Sequence, residues 1–161
     1  MPTPRVESLI AKLEKGRSKT LQTLRSLDHD QWARIIYAEP LVWKVRDLAA
    51  HLLSSEENLL ELAQNVASGG QGAPAGFDYD AFNAQEQQRL QNKSPEELLR
   101  ALDEARRATL EWVRTLEDER LDLVGRHPAL GEITLETMLT AIYGHQLLHM
   151  RDLQSRLNRS G

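Results

Sequence analysis

Two histidines lie four residues apart in the stretch YGHQLLHMRDLQ, which spans residues 143–154. Side chains at positions i and i+4 of an α-helix share one face, so His145 and His149 would present their imidazole rings side by side. Two imidazoles at this spacing are able to bind one metal ion. Ordinary helix packing produces the same spacing, so the pair alone does not decide between the two interpretations.

A third histidine has a similar setting. His51 lies between Leu48 and Leu52 in one apolar stripe, and His145 and His149 lie within another. An imidazole on an inward face must find a hydrogen-bond partner, because burying an unpaired polar group is costly. A divalent metal ion would satisfy all three rings and leave coordination positions open for water or substrate. The alternative is three buried histidines, each with its own polar partner.

Four helices are predicted to position these residues. Apolar residues recur at helical spacing in four long segments, at about residues 5–27, 44–67, 94–117 and 133–158. A glycine-rich loop at 68–78 and a short helix at about 79–91 connect the second segment to the third. No strand-like alternation competes with these patterns. The sequence therefore predicts an all-α, single-domain protein over 1–161, a four-helix bundle with a long connection between its second and third long helices and with its first two antiparallel.

The composition narrows the function further. The chain has 161 residues, no cysteine and a net charge of −4. Without cysteine, a disulfide, a thiolate zinc site and a cysteine nucleophile are all excluded. The negative charge argues against nucleic-acid binding, which requires a basic surface. No apolar run approaches the ~20 residues of a membrane span, so we expect no membrane partner and a cytoplasmic location.

Three stretches of the chain resemble the DinB-like (YfiT-like) metal-binding four-helix-bundle superfamily. They are WKVRDLAAHL (43–52), SPEELLRALDEARRATLEWV (94–113) and HPALGEITLETMLTAIYGHQLLHMRDLQ (127–154). The first is similar to the family's Trp-x-x-x-Asp-x-x-x-His signature and the third to its His-x-x-x-His signature. The resemblance implies that His51, His145 and His149 are metal ligands. Lys44 departs from the pattern, since the family often has Ser or Thr there to cap the helix.

This superfamily includes thiol-dependent S-transferases and the N-terminal domain of mycothiol-dependent maleylpyruvate isomerase. The resemblance therefore implies a divalent metal, with zinc or nickel first and iron or manganese as alternatives. It also implies a low-molecular-weight thiol and an electrophilic small molecule as partners, in a metal-dependent S-transferase or hydrolase. A non-catalytic metal-binding stress protein and a metal-free helical interaction module are alternatives, and no catalytic residue is predicted. A homodimer is expected, with Leu41 or Trp32 as a candidate contact.

Three other polar residues near the predicted site have two interpretations each. Ser55 either faces the site or is solvated or bonded back to its own helix. Gln146 either supports a ligand or lies at a helix interface. Asp152 either orients an imidazole, as carboxylates commonly do at metal sites, or pairs with Arg156 at helical spacing.

Five further residues are predicted to lie outside the site. Glu56 and Glu57 do not continue the apolar stripe and are expected to face solvent. Trp43 is expected to pack where the second long helix begins, with substrate contact as the alternative. His29 and His127 lie in breaks between helices and are expected to be solvated.

Overall fold

The computed structural model describes residues 1–159 and consists of four long helices joined by short helices and two small hairpins. Its first half contains α1 (Pro4–Arg25), α2 (His29–Trp32), β1 (Ile35–Tyr37), β2 (Trp43–Lys44) and α3 (Val45–Ala67). Its second half contains α4 (Tyr79–Arg89), α5 (Pro95–Val113), α6 (Asp118–Leu121), β3 (Val124–His127), β4 (Gly131–Thr134) and α7 (Leu135–Arg159). The predicted four-helix bundle is confirmed.

The four long helices have an up-down-down-up arrangement. Arg5 and Glu136, at the starts of α1 and α7, form an ion pair of 2.7 Å, so these two helices are parallel. Glu14 on α1 pairs with Arg114 at the end of α5. The later residue Arg17 pairs with the earlier Asp103 of α5, so α1 and α5 are antiparallel. Both α1 and α3 pack against α5 and α7, which places α1 and α3 at opposite corners. The first two long helices are antiparallel as predicted, but they are diagonal rather than adjacent.

The apolar core is divided into two clusters along the bundle axis. One cluster joins the end of α1, the starts of α3 and α5 and the end of α7, and it includes Leu24, Leu48, Leu98 and Leu153. The other joins the opposite ends of the same helices and includes Leu9, Ala63, Leu110 and Met138. Buried polar residues lie between the two clusters, among them His51, Glu56, Arg106, Thr109 and Gln146. The site residues therefore lie in the middle of the bundle.

Side-chain caps fix where the long helices begin. Ser94 accepts a hydrogen bond from the Glu97 backbone N–H at 3.2 Å, as its spacing before Pro95 and Glu97 predicts. The start of α3 is different, because Lys44 has no side-chain oxygen to accept such a bond. Asp47 instead accepts from the Lys44 backbone N–H at 2.9 Å. The Asp of the Trp-x-x-x-Asp-x-x-x-His signature thus stabilises the helix that carries His51.

Two antiparallel hairpins, β1–β2 and β3–β4, contradict the expectation of a bundle without strands. Their strands have four residues or fewer, so a period-2 pattern is too short to be recognised in the sequence. The connection between α3 and α5 joins the second hairpin, because Gly72 forms a parallel bridge with Arg126. Gly72 has φ +81°, and a Cβ there would lie 2.5 Å from the Arg126 carbonyl oxygen, so this close approach requires glycine.

Two other observations concern surfaces. Trp32, a candidate for a dimer contact, is 8% exposed and packs in the core, whereas Leu41 is 54% exposed. Within residues 1–159, the helices all fall short of the combined length and apolarity that crossing a bilayer requires.

Candidate metal centre

The antiparallel packing of α3 against α7 brings the three predicted ligands together. The Nε2 atom of His145 lies 3.2 Å from Nε2 of His51 and 3.1 Å from Nε2 of His149. The three rings meet edge to face, with centroids 4.6 to 5.3 Å apart. Within residues 1–159, these histidines are the one group of His, Cys, Asp or Glu side chains with ligand atoms close enough to share an ion.

The spacing of these nitrogens fits a bound metal ion. Ligand atoms ~2.0–2.1 Å from zinc in a tetrahedral site are separated by roughly 3.3 Å. Without an ion, Nε2 of His145 carries either one proton or one lone pair, so it cannot form a full hydrogen bond with both of the other rings. The Nδ1 atom of His51 is buried without a hydrogen-bond partner, whereas its Nε2 atom faces the other histidines. The donor set and its geometry therefore suit an imidazole-preferring divalent ion.

Burial keeps the ligand nitrogens neutral. Desolvation, with a smaller contribution from neighbouring histidine charge, lowers the pKa of His51 from 6.5 to about 4 and that of His145 to about 3. Desolvation also lowers the pKa of His149, although the nearby Asp152 carboxylate opposes this shift. Neutral imidazole is the form that binds metal, so the rings are ready to bind at neutral pH and below.

A chain of hydrogen bonds orients His149 from outside the triad. The Tyr37 hydroxyl donates to Asp152 at 2.5 Å and lies 3.4 Å from His149 Nδ1, from which it is able to accept. Asp152 also accepts from Arg156 Nε at 3.0 Å. With its Nδ1–H directed at Tyr37, His149 leaves the Nε2 lone pair free toward the other histidines.

Both interpretations of Asp152 are therefore correct in part: it pairs with Arg156 and reaches His149 through Tyr37. Sequence reasoning missed Tyr37, which lies on β1 far from the helices. No spacing pattern signals this position. Trp43 packs near the start of α3 as expected, and its ring centroid lies 5.1 Å from that of His51.

Glu56 corrects the prediction that it faces solvent. It is 1% exposed and accepts hydrogen bonds from Arg106 Nε at 2.7 Å and Nη2 at 2.8 Å, Thr109 Oγ1 at 2.9 Å and Gln146 Nε2 at 2.7 Å. Arg106 Nη1 donates to the Leu13 carbonyl of α1 at 2.8 Å. Because α3 packs against both α5 and α7, its buried surface is wider than one apolar stripe. We refer to Glu56, Arg106, Thr109 and Gln146 as the carboxylate network.

A cavity of about 740 Å³ adjoins the triad and is lined by His51 and His145. Its walls are formed by residues of α3, α4 and α7, of the loop before α4, and of the β3–β4 hairpin. Ser55 and His127 both line this cavity. His127 is therefore a partly buried residue at the end of β3 rather than a solvated loop histidine, whereas His29 is exposed as expected. The cavity gives small molecules access to the triad.

The sequence model of the DinB superfamily matches residues 4–153. The fold is similar to that of YfiT from Bacillus subtilis, described as a probable metal-dependent hydrolase with an unusual four-helix bundle topology. The two are 21% identical with a TM-score of 0.78, over 100% of this chain and 90% of the other. None of the curated proteins matches the chain in sequence.

Two further solved structures share the fold. Mycothiol-dependent maleylpyruvate isomerase is 18% identical with a TM-score of 0.73, over 95% of this chain and 61% of that protein. The colibactin self-resistance protein ClbS, solved in complex with double-stranded DNA, is 17% identical with a TM-score of 0.71, over 93% of this chain and 95% of that protein.

Proposed function

The chain belongs to the DinB superfamily, and from this premise we propose that it is a metal-dependent enzyme in which His51, His145 and His149 bind one divalent ion. The observation that carries the proposal is the convergence of three Nε2 atoms, 3.1 and 3.2 Å apart, beside a cavity that is open to small molecules. Three histidines leave at least one coordination position for water or substrate.

Zinc or nickel fits the donor set best, because all three ligands are neutral imidazoles. Iron also binds imidazole ligands and is a weaker alternative. Manganese prefers carboxylate oxygens, and the Asp152 carboxylate, which reaches the triad through Tyr37, is engaged by Tyr37 and Arg156. The protein should therefore discriminate against manganese more strongly than against iron.

We propose thiol-linked transfer to an electrophilic small molecule as the reaction, with hydrolysis as the second candidate. A bound divalent ion would supply a Lewis acid that lowers the pKa of a coordinated thiol or water. The chain has no cysteine, so the thiol must be a cosubstrate. A cavity of about 740 Å³ has room for a small thiol beside an electrophile, which favours transfer. The fold shared with a mycothiol-dependent isomerase supports a thiol cosubstrate, and the fold shared with YfiT supports hydrolysis.

The residues around the triad have separate roles in this proposal. The three histidines bind the ion, and Tyr37 with Asp152 orients His149. Trp43 covers one side of His51 and keeps bulk water from that ring. The apolar cavity walls exclude further water and strengthen electrostatic interactions near the ion.

We also propose a homodimer. Leu41 and Val42, between the strands of the first hairpin, are 54% and 61% exposed, as is Ile35 nearby at 55%. A dimer that covers these apolar side chains would remove them from water. Analytical ultracentrifugation of the wild type and of Leu41→Glu would separate a dimer from a monomer, and a monomeric wild type would reject the proposal.

Metal content and turnover test the enzymatic proposal together. Protein purified without a metal-affinity tag should contain close to one zinc or nickel per chain by elemental analysis, and His145→Ala should contain almost none. His29→Ala, which changes an exposed histidine, should retain the metal. Turnover of electrophiles with glutathione, mycothiol or bacillithiol would support transfer, and thiol-independent ester or amide cleavage would support hydrolysis. Absence of metal from the wild type, even after incubation with zinc and nickel, would reject the proposal.

A further inference from the structure

His127 is held in one tautomer by the turn that follows it. Its Nδ1 atom accepts hydrogen bonds from the backbone N–H groups of Ala129 at 3.0 Å and Leu130 at 3.1 Å. A ring nitrogen that accepts two hydrogen bonds carries no proton, so the neutral ring must carry its proton on Nε2. The β3–β4 turn therefore makes His127 a hydrogen-bond donor at Nε2.

That donor is free for a ligand. Nε2 of His127 makes no hydrogen bond within residues 1–159. It is not among the buried polar atoms without a partner, so this nitrogen is accessible. The side chain lines the same cavity as His51 and His145. Because Nδ1 faces the backbone of the turn, Nε2 lies on the opposite edge of the ring. A ligand in the cavity would meet an N–H group there.

The charge of the cavity wall favours a negatively charged ligand. The chain has 24 acidic residues, yet the part of the chain that the structure describes contributes none of them to this wall. Arg151 on α7 does line the cavity, and it forms no ion pair or hydrogen bond with residues 1–159. A guanidinium without a carboxylate partner is suited to binding an anionic oxygen group from a ligand.

The remaining walls are mostly apolar and aromatic. Phe77 and Phe82 lie on one side with ring centroids 5.6 Å apart, and Leu130 and Leu148 contribute exposed apolar side chains. Such surfaces bury the hydrocarbon part of a ligand, preferably a flat ring, while a small number of polar groups fix its orientation.

From these observations we propose that the electrophilic substrate is a small apolar or aromatic acid, whose carboxylate is bound by Arg151 and by the Nε2–H of His127. His127 is thus a binding residue for substrate, and its Nδ1 contacts serve to position that donor. The inference rests on the proposed function in naming the bound acid as the substrate, but the binding itself does not require a metal.

The first experiment reads the tautomer directly. A long-range ¹H–¹⁵N correlation spectrum of the full-length protein, with ¹⁵N-labelled histidine and assignment by His127→Asn, should show His127 protonated at Nε2 and unprotonated at Nδ1 at pH 7.5. A ring protonated at Nδ1, or one exchanging between both tautomers, would overturn the proposal.

The second experiment separates the donor from the turn contact. In His127→Asn, the side-chain oxygen takes the place of Nδ1 and accepts from the turn, but the N–H donor at the Nε2 position is lost. In His127→Gln, the contact with the turn is lost, but an N–H donor further along the side chain is kept. His127→Asn should melt at the wild-type temperature and bind phenylacetate about tenfold more weakly. His127→Gln should be less stable and bind better than His127→Asn. Wild-type affinity in His127→Asn would overturn the donor role.

The third experiment tests charge selection with probes of one shape. Isothermal titration of the full chain, with and without added zinc, should show phenylacetate binding at least about tenfold more tightly than 2-phenylacetamide. Arg151→Gln should abolish this preference, and Arg100→Gln, on an exposed face of α5, should retain it. Equal binding of acid and amide by the wild type would overturn the inference. If the protein prefers the acid but binds no metal, the inferred acid site is supported and the proposed metal-dependent enzyme is rejected. If the protein binds metal but shows no preference for the acid, the acid site is rejected and the proposed enzyme is not.

Discussion

Two groups of polar side chains lie side by side between the apolar clusters, and they differ in whether their hydrogen bonds are complete. The Glu56 carboxylate accepts four hydrogen bonds from Arg106, Thr109 and Gln146. In the histidine triad, only one residue away along α7, Nε2 of His145 contacts two other Nε2 atoms and cannot form a full hydrogen bond with both. The carboxylate network is complete without a ligand, whereas the triad is not.

This difference separates a structural polar group from a binding site within one layer of the bundle. Buried polar atoms are nearly always paired, so three imidazole nitrogens whose contacts cannot all be full hydrogen bonds indicate a group that binds between them. Burial alone does not distinguish a structural group from a binding site, since Glu56 is more deeply buried than His51. Loss of a residue from the complete network should cost folding stability, whereas loss of a residue from the triad should cost metal binding.

Glu56→Leu should lower the free energy of unfolding by about 3–5 kcal/mol, because it leaves the buried Arg106 charge without its partner. Chemical denaturation measures the change. Glu57→Leu, at the exposed neighbouring position, should change stability by less than ~0.5 kcal/mol. The double variant Glu56→Leu with Arg106→Met should be more stable than Glu56→Leu alone. If the single variant unfolds like the wild type, the carboxylate network is not a closed structural unit.

His149→Ala should abolish stabilisation by metal and cost little without it. At free zinc 100 times the dissociation constant, the wild type should gain about 2.7 kcal/mol, since the ion binds only the folded state. Thermal melts with zinc and with chelator measure the gain. His29→Ala should gain as much as the wild type. An equal gain in His149→Ala would show that the ion binds elsewhere.

Tyr37→Phe should weaken metal binding about tenfold, a loss of ~1.4 kcal/mol, because His149 loses the hydroxyl that orients it. Competition with a fluorescent chelator measures the affinity. Tyr79→Phe removes a hydroxyl from the cavity wall and should leave metal affinity unchanged. Wild-type affinity in Tyr37→Phe would mean that packing alone holds His149.

Metal-free protein should lose stability as the pH falls below 6.5. The lowered pKa of His51, about 4, means that the unfolded chain takes up a proton more readily than the folded one. Its contribution is therefore complete above pH 6.5 and is lost progressively toward pH 4. Between pH 7.5 and 6.0 the loss is roughly 0.8 kcal/mol for this residue. Denaturant titrations should give His51→Leu a shallower pH dependence by that amount, and an identical dependence would mean that His51 is not protected from protonation.

The sequence predicts the long helices and the triad because both depend on local spacing. A period of 3.6 residues identifies the helices, and His145 and His149 share a face whenever α7 forms. His51 is recognisable in the sequence because it interrupts an apolar stripe. From the sequence alone, with ordinary imidazole pKa values, metal affinity is expected to fall below pH ~6.5. Burial lowers the pKa of His51 and His145, so the fall in affinity is expected at lower pH.

The residues that sequence reasoning missed depend on contacts between distant segments. Glu56 is buried because Arg106 reaches it from another helix, and no local pattern shows that pairing. Thr109 lies on the inward face of the third long segment and Gln146 lies beside His145, so both gave a partial signal as polar residues that need partners. Tyr37 and the tautomer of His127 depend on short hairpins whose strands have no recognisable period.

Gly16 shows how close the helices come at this level, since a Cβ there would lie 3.1 Å from Cβ of Tyr143 and 3.5 Å from Nη1 of Arg106. Leucine-rich stripes can pack in several alignments, because sliding one helix by a turn of about 5.4 Å places leucine against leucine again. Here such a slip of α7 would separate Gln146 from Glu56, and a slip of α1 would put a side chain where Gly16 admits Arg106. We expect the polar layer to fix a single alignment of all four helices, so that the histidines meet in every folded molecule.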